Sequence, residues 1–148
     1  MPARCPDIDV AQVDFYVLDR VDEHARNTLA CKLAEKAWRL ENSIHIHTMT
    51  QADAERLDEL LWTFRDGSFV PHELAGSENA APITIGFGDS PIEPCDLLIT
   101  LCDEIPSFAG RFPRIAELVS SDETCRAKSR QRYASYREQG HKMNTHKI

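Results

Sequence analysis

Carboxylates follow two strand-like segments, and carboxylates are the side chains that hold Mg²⁺ or move protons. Asp19 comes directly after the apolar run Val13–Leu18, and Asp103 and Glu104 come after the run Leu97–Leu101. The carboxyl ends of parallel strands meet at one edge of a sheet, where ligands bind, so Asp19 and Asp103 could hold a metal for nucleotide or phosphoester chemistry. The simpler interpretation is that these side chains cap the helices that follow.

A histidine pair and a glycine pair give weaker signals of a cofactor site. His45 and His47 lie two residues apart on a strand-like segment and point to the same side, a spacing found in some metal sites. No H-E-x-x-H motif or cysteine pair accompanies them, and strand histidines that pack against a helix are the commoner case. The chain has no G-x-x-x-x-G-K-[ST] motif, and its only G-x-G, at residues 86–88, does not run into a helix. We therefore expect no catalytic residues, no metal and no cofactor.

The strongest pattern is a basic helix near the end of the chain. Four of its residues recur at i, i+4, i+7 and i+11 and share one face: Arg126, Arg130, Tyr133 and Arg137. Arg132 and Tyr136 fall on the neighbouring row. Arginine binds carboxylates through two hydrogen bonds, and tyrosine offers a flat apolar wall with a polar tip. The face suits a short acidic peptide that ends in an apolar residue, or a phosphate backbone; the alternative is a solvated helix whose tyrosines pack on the core.

A second candidate surface is aromatic. Trp62, Phe64 and Phe69 crowd a helix end and the turn after it. A helix buries one apolar stripe, which Leu57, Leu61 and Phe64 occupy, so Trp62 and Phe69 are expected near the surface. Exposed aromatics at the end of an element are typical anchors for protein partners. The alternative is an ordinary corner of the core.

The elements that would position these residues alternate between strand and helix. Strands are predicted at 13–18, 44–48, 68–71, 83–86 and 97–101, and helices at about 22–41, 50–66, 107–119 and 123–138. This alternation indicates a three-layer α/β fold with a mostly parallel sheet and helices on both faces. We predict one domain over residues 1–148, with a loose lead-in at 1–12 and a C-terminal tail at 141–148.

Composition and charge narrow the class of protein. The chain has 148 residues, of which 42% are hydrophobic and 28% charged, as in a globular domain. Its apolar runs are too short to span a membrane, no signal pattern opens the chain, and five scattered cysteines form no C-x-x-C, so we expect a cytoplasmic protein. The net charge of the whole chain is −7. Residues 126–148 hold seven basic side chains and one acidic, a net charge of +6, so residues 1–125 carry a net charge of −13. A basic end on an acidic body favours a negatively charged partner.

At these residues the chain resembles the chi subunit family of bacterial DNA polymerase III holoenzyme. The matching pieces occur in the family's order from about Val13 to the end of the chain: Phe15–Asp19, Leu57–Trp62, Ser68–His72 with Leu74–Ala75, Asp96–Leu101, Arg130–Arg137 and Asn144–Thr145. The combination of Leu-Trp with Ser-Phe-Val-Pro-His is the most specific of these matches.

The resemblance implies a Rossmann-like accessory subunit with no catalytic activity of its own. Such a subunit pairs with the psi subunit, which connects it to the clamp loader, and it binds the acidic C-terminal tail of single-stranded DNA-binding protein. Contact with DNA would then be indirect, in a nucleoid-associated replisome of the cytoplasm. Relatives can carry a basic residue where this chain has Ala134, so tail affinity is expected to rest more on Arg126, Lys128 and Arg130. The tail-binding residues are expected to be Arg126, Lys128, Arg130, Tyr133 and Thr145, and the psi-binding residues Trp62, Phe69, Val70 and Val119.

Two other classes of function stay open at this stage. One is a metal-dependent nucleotide or phosphoester enzyme that uses Asp19 and Asp103, and the missing phosphate loop disfavours it. The other is a protein that binds nucleic acid directly through the basic helix, and the charge of −13 on the rest of the chain disfavours it.

Overall fold

The computed structural model describes residues 11–19, 23–63, 72–74, 82–88, 96–102, 104–106 and 108–147. Within these ranges the helices are α1 (Glu23–Arg39), α2 (Gln51–Thr63) and α3 (Glu123–Glu138), with a 3-10 turn at Ala109–Arg111. The strands are β1 (Gln12–Val17), β2 (Ile44–Thr48), β3 (His72–Leu74), β4 (Ile83–Phe87), β5 (Leu97–Thr100), β6 (Arg114–Val119) and β7 (Lys142–Lys147).

All of these strands belong to one sheet, in the order β3-β4-β2-β5-β6-β1-β7. Every neighbouring pair is parallel. The inner strands are rich in Ile, Leu and Val and are almost wholly buried, as expected of parallel strands that are covered on both faces. The predicted α/β fold with a mostly parallel sheet is confirmed.

Helices cover both faces of the sheet. Alternate strand residues point to opposite sides, so each face carries apolar side chains for a helix to bury. On one face Ile46 and Leu118 join a cluster with Leu57 of α2 and residues of α1. On the other face Phe15 and Ile115 join a cluster with residues of α3 and of the 3-10 turn. The connection from β1 to β2 through α1 and the connection from β2 to β3 through α2 both run toward the β3 edge of the sheet. The connection from β6 to β7 through α3 runs toward the opposite edge. Parallel crossovers keep one hand, so opposite steps place the helices on opposite faces.

The predicted cap and apolar stripe of α2 are both present in the structure. The hydroxyl of Thr50 accepts a hydrogen bond from the backbone N–H of Asp53 at 3.2 Å, which caps the first turn. Leu57 and Leu61 form the buried stripe. The predicted end of this helix at Gly67 and the extended piece Ser68–Pro71 lie outside the described residues.

The prediction of a helix between residues 107 and 119 is wrong. The spacing of its apolar residues fits a helix, but Pro113 disfavours a helical conformation at the residue before it, and Phe112 is extended with φ −98° and ψ 137°. A 3-10 turn therefore ends at Phe112, and residues 114–119 form β6 between β5 and β1. Both faces of this strand are buried, so its apolar residues show no clean alternation.

The prediction of a tail at residues 141–148 is also wrong for most of its length. Residues 142–147 form β7, which pairs in parallel with the whole of β1. The segment holds few apolar residues because it is an edge strand, and most of its side chains are exposed. The buried ring of His141 fixes its start by accepting a hydrogen bond at Nδ1 from the backbone N–H of Ala11, at 2.9 Å.

The described cysteines fit the expectation of thiols rather than disulfides. Cys31, Cys102 and Cys125 form no disulfide with another described residue, and Cys31 is buried in the core. Burial raises the pKa of the Cys31 thiol to about 12, so this thiol stays protonated and unreactive. Cys5 and Cys95 lie outside the described residues.

A buried ion pair attaches α3 to the sheet. Glu117 of β6 is fully buried and accepts a hydrogen bond from Nε of Arg132 at 3.0 Å and another from the Tyr136 hydroxyl at 2.7 Å. Burial raises the pKa of Glu117, whereas the bonds from Arg132 and Tyr136 favour its charged form and oppose that rise. Both partners lie on α3, so the carboxylate sets the rotation of this helix about its own axis.

We expect Arg132→Met to lower the free energy of unfolding by about 3–5 kcal/mol, because it removes the cation that hydrogen-bonds the buried Glu117 carboxylate. The matched control is Arg130→Met, two residues away on the same helix but with 63% of its side chain exposed. This control should change stability by no more than about 0.5 kcal/mol. Urea unfolding of both variants measures the difference, and equal losses would contradict the structural role of Arg132.

Candidate functional site

The rotation of α3 decides which of its basic side chains reach solvent. Arg132 and Tyr136 point into the core, so the opposite side of the helix faces outward. Arg126, Arg130 and Arg137 are exposed there, which agrees with their predicted common face. The helix begins at Asp122, whose carboxylate accepts a hydrogen bond from the backbone N–H of Cys125 at 3.1 Å.

Tyr133 and Thr145 both neighbour Phe15 of β1, although they lie twelve positions apart in the sequence. The ring of Tyr133 is half-buried and packs on Phe15 of β1, with ring centroids 5.3 Å apart. Thr145 of β7 lies beside the same Phe15 in the parallel register and therefore points to the α3 side of the sheet. Lys147 points to that side as well. We name this region the α3–β7 groove; its described residues are Arg126, Arg130, Tyr133 and Arg137 of α3 with Thr145 and Lys147 of β7.

The groove presents positive charge that the rest of the described chain does not neutralise strongly. Arg130 has one ion-pair partner, Glu123, at 3.7 Å, and both side chains are largely exposed. Such an exposed pair stabilises the fold by at most about 1 kcal/mol, so an incoming carboxylate can replace Glu123 at little cost. Arg126 and Arg137 form no ion pair with a described residue.

Lys128, by contrast, lies on the other flank of α3. It is two residues from both Arg126 and Arg130, which places it about 200° around the helix from each of them. There it lines a cavity of about 570 Å³ with Gln131 and with residues at the carboxyl ends of the strands, including His47 and Cys102. The structure thus separates Lys128 from the other predicted tail-binding residues.

The carboxylates considered for catalysis do not follow neighbouring strands. Asp19, which is exposed, comes after β1, and Asp103, outside the described residues, comes after β5. The strand β6 lies between β1 and β5. Among the described residues no group of three His, Cys, Asp or Glu side chains could hold a metal ion.

The histidine pair forms a buried chain of hydrogen bonds. Nε2 of His47 lies 2.7 Å from the carbonyl oxygen of Gly88, which can only accept, so this nitrogen carries the proton. Nδ1 of His47 then accepts from Nε2 of His45 at 3.1 Å, and Nδ1 of His45 accepts from the Thr84 hydroxyl at 2.8 Å. Both rings also contact Phe108 edge-on. All the ring nitrogens are thus engaged, and a metal would have to break this chain to bind.

The predicted psi-binding residues are only partly described. Trp62 is 49% exposed in the last turn of α2, as expected of an interface anchor. Val119 is 1% exposed at the end of β6, so its side chain packs in the core and offers no area to a partner in this conformation. Phe69 and Val70 lie outside the described residues.

The chain matches a known family over most of its length. Residues 10–144 fit the family model described as DNA polymerase III chi subunit, HolC. A DNA polymerase III subunit chi of Pseudomonas aeruginosa is 41% identical over 94% of this chain and 98% of its own. Proteins of the same name from Haemophilus influenzae and Escherichia coli are each 34% identical, over 90% and 88% of this chain and 95% and 94% of their own.

The chain belongs to the DNA polymerase III chi subunit family. Its function therefore lies in DNA replication, as an accessory subunit, and the resemblance noted in the sequence is confirmed. No helix in the described part of the chain is long and apolar enough to cross a membrane.

The sequence did not predict the strand β7, although the resemblance implied a binding role for its residue Thr145. Lys147 counted only toward the charge of a tail, and no strand was predicted there. The available signal was weak: Met143, Thr145 and Lys147 alternate with Lys142, Asn144 and His146 over a stretch without Gly or Pro, which is compatible with an edge strand. The inward direction of Arg132 had no signal in the sequence, because its partner Glu117 lies in a segment that was predicted as helix.

The buried histidines predict a dependence of stability on pH. Burial, and next the neighbouring His47, lower the pKa of His45 to about 3 from 6.5. Below pH 6.5 the unfolded chain takes up a proton that the folded chain refuses until about pH 3, so the contribution of neutral His45 to stability is lost as the pH falls through this window. The free energy of unfolding should fall by about 2 kcal/mol from this residue alone between pH 7 and pH 5.

Urea unfolding at both pH values, on the wild type and on His45→Gln, measures this contribution. The variant has no imidazole at this position and should lose less stability than the wild type between pH 7 and pH 5. The same pH dependence in both proteins would show that His45 is not the residue responsible.

Proposed function

We propose that this chain is a non-catalytic connector of the replicative DNA polymerase. One surface binds the psi subunit, and through it the clamp loader. A second surface, the α3–β7 groove, binds the acidic C-terminal tail of single-stranded DNA-binding protein. The protein works in the cytoplasm, at the replisome, and contacts DNA through these partners.

The observation that carries this proposal is the basic groove around a half-buried tyrosine. Carboxylates of the tail would accept charge-assisted hydrogen bonds from Arg126, Arg130 and Arg137. The apolar residue that ends the tail would lie against the exposed part of Tyr133 and the aliphatic parts of the arginine side chains. Thr145 closes the groove from β7, on the side of the sheet where Tyr133 packs.

The position of the two surfaces supports a connecting role. Trp62 belongs to α2, which packs on one face of the sheet, and the groove belongs to α3 and β7 on the other face. Partners that dock on opposite faces of a rigid sheet do not compete for space. One chain can therefore hold both at once.

Removal of the Arg130 side chain should weaken binding of the tail peptide about 5- to 150-fold, the range for losing a hydrogen bond to a charged group. Lys128→Ala is the matched control, because it removes the same charge from the other flank of α3. Its distance from the groove, about one helix diameter, is comparable to the Debye length, so its effect should be less than about twofold. Calorimetric titration of a synthetic tail peptide into each protein at two salt concentrations gives these affinities.

Added salt should weaken the binding of wild type more than that of Arg130→Ala, because one screened contact is missing from the variant. Equal affinity of wild type and Arg130→Ala for the peptide would refute the groove as the tail-binding site. A loss in Lys128→Ala as large as in Arg130→Ala would instead place the tail across both flanks of α3.

The exposed Trp62 gives the psi-side surface a test of its own. We expect Trp62→Ala to weaken the complex with psi by about 2 kcal/mol or more, as for an aromatic anchor, while the fold stays intact since the ring is half exposed. Arg130→Ala should bind psi as the wild type does, and Trp62→Ala should bind the tail peptide as the wild type does. Co-purification and titration of both variants check this crossed pattern, and a Trp62→Ala protein that binds psi normally would move the interface elsewhere.

A further inference from the structure

The strand β7 is the last in the sheet and has one paired edge. It pairs with β1 along its whole length, and in the described part of the chain no strand pairs with its outer edge. Five of its six residues are exposed, and Met143 is half-buried. A row of main-chain donors and acceptors is therefore open to an added strand.

The register identifies which of these groups point outward. The backbone N–H of Lys142 donates to the carbonyl of Ala11 at 2.9 Å, so the main-chain groups of Lys142 face β1. Successive residues of a strand alternate in this direction, so those of Asn144 and His146 also face β1. The N–H and C=O groups of Met143, Thr145 and Lys147 face outward.

The side chains of the same three residues point toward α3. Met143 packs against the same cluster as Tyr133, and Thr145 lies beside Phe15 in the register. A chain paired with the outer edge of β7 would therefore present every second side chain on the face that carries the arginines of α3. The open edge of β7 and the basic groove are therefore adjacent.

Charge selects the occupant of this edge. The strand β7 carries Lys142, His146 and Lys147 and no carboxylate. A second copy of β7 would bring like charges together across the pair, which is destabilising, whereas an acidic extended peptide complements them. The edge thus suits an acidic peptide and opposes self-association.

We propose that the acidic tail binds by strand addition, as an eighth strand on the outer edge of β7. This inference rests on the proposed function and adds how the tail is held: the main chain of Met143, Thr145 and Lys147 bonds the peptide backbone, while the arginines of α3 bind its carboxylates. Main-chain pairing provides affinity that does not depend on which acidic residue occupies each position.

Amide hydrogen exchange of the full chain, with and without saturating tail peptide, tests the outward groups. The N–H groups of Met143, Thr145 and Lys147 should exchange about tenfold more slowly when the peptide is bound. Those of Asn144 and His146 already bond β1 and should change less. Slow exchange that appears only in α3, or equal slowing along all of β7, would overturn strand addition.

Two sets of reagents separate main-chain pairing from side-chain docking. Peptides that are N-methylated at alternate positions should fall into two classes, because only one set of peptide amides faces β7; one class should lose at least about tenfold in affinity and the other little. On the protein, Thr145→Pro removes an outward N–H that the β1 ladder does not use, and it should weaken binding at least about fivefold relative to Thr145→Ala. The peptide series tests the idea even if the proline variant fails to fold.

The outcomes distinguish the inference from the function beneath it. If the peptide binds and Arg130→Ala weakens it, but both classes of methylated peptide bind equally, the tail occupies the groove through side chains alone and strand addition is wrong. If the unmodified peptide does not bind the wild type, the proposed function and the inference fall together.

Discussion

The buried carboxylate of Glu117 fixes the side of α3 that faces solvent, and the surface of the groove depends on it. A buried charge without partners is unfavourable by several kcal/mol, so α3 must present both Arg132 and Tyr136 to β6. A helix has one rotation about its axis that achieves this. In that rotation the row with Arg126 and Arg130 points to solvent on the side of β7, and Lys128 points to the opposite flank.

The topology of the parallel sheet places α3 and its basic side chains on a different face from α1 and α2. Connections in opposite directions along the sheet put α1 and α2 on one face and α3 on the other, and the apolar clusters of the two faces share the strands between them. Trp62 belongs to α2 on the first face, and the basic groove lies on the second. In the proposed function, the second face attracts one partner by charge and the first face holds another through an apolar anchor.

The buried histidines His45 and His47 also have hydrogen-bond partners. In the chain from Thr84 through His45 and His47 to Gly88, each neutral ring donates once and accepts once, so all four ring nitrogens have a partner. This arrangement explains why a histidine pair with the spacing of a metal site packs in the core. Burial, and next the neighbouring His47, lower the pKa of His45, so its ring stays neutral at pH 7 in this arrangement.

The sequence by itself determined the fold class, the bounds of α3 and the family, because strong periodicity, capping residues and short motifs are local properties of the chain. It also placed Arg126, Arg130 and Tyr133 on one helical face. Only the tertiary structure decided that Arg132 is a core residue, that Lys128 lines a cavity at the carboxyl ends of the strands, and that residues 142–147 are a strand. The physical reason is that each of these facts depends on a partner far along the chain: Glu117 for Arg132, the carboxyl ends of the strands for Lys128, and the edge of β1 for a polar segment that has no hydrophobic pattern of its own.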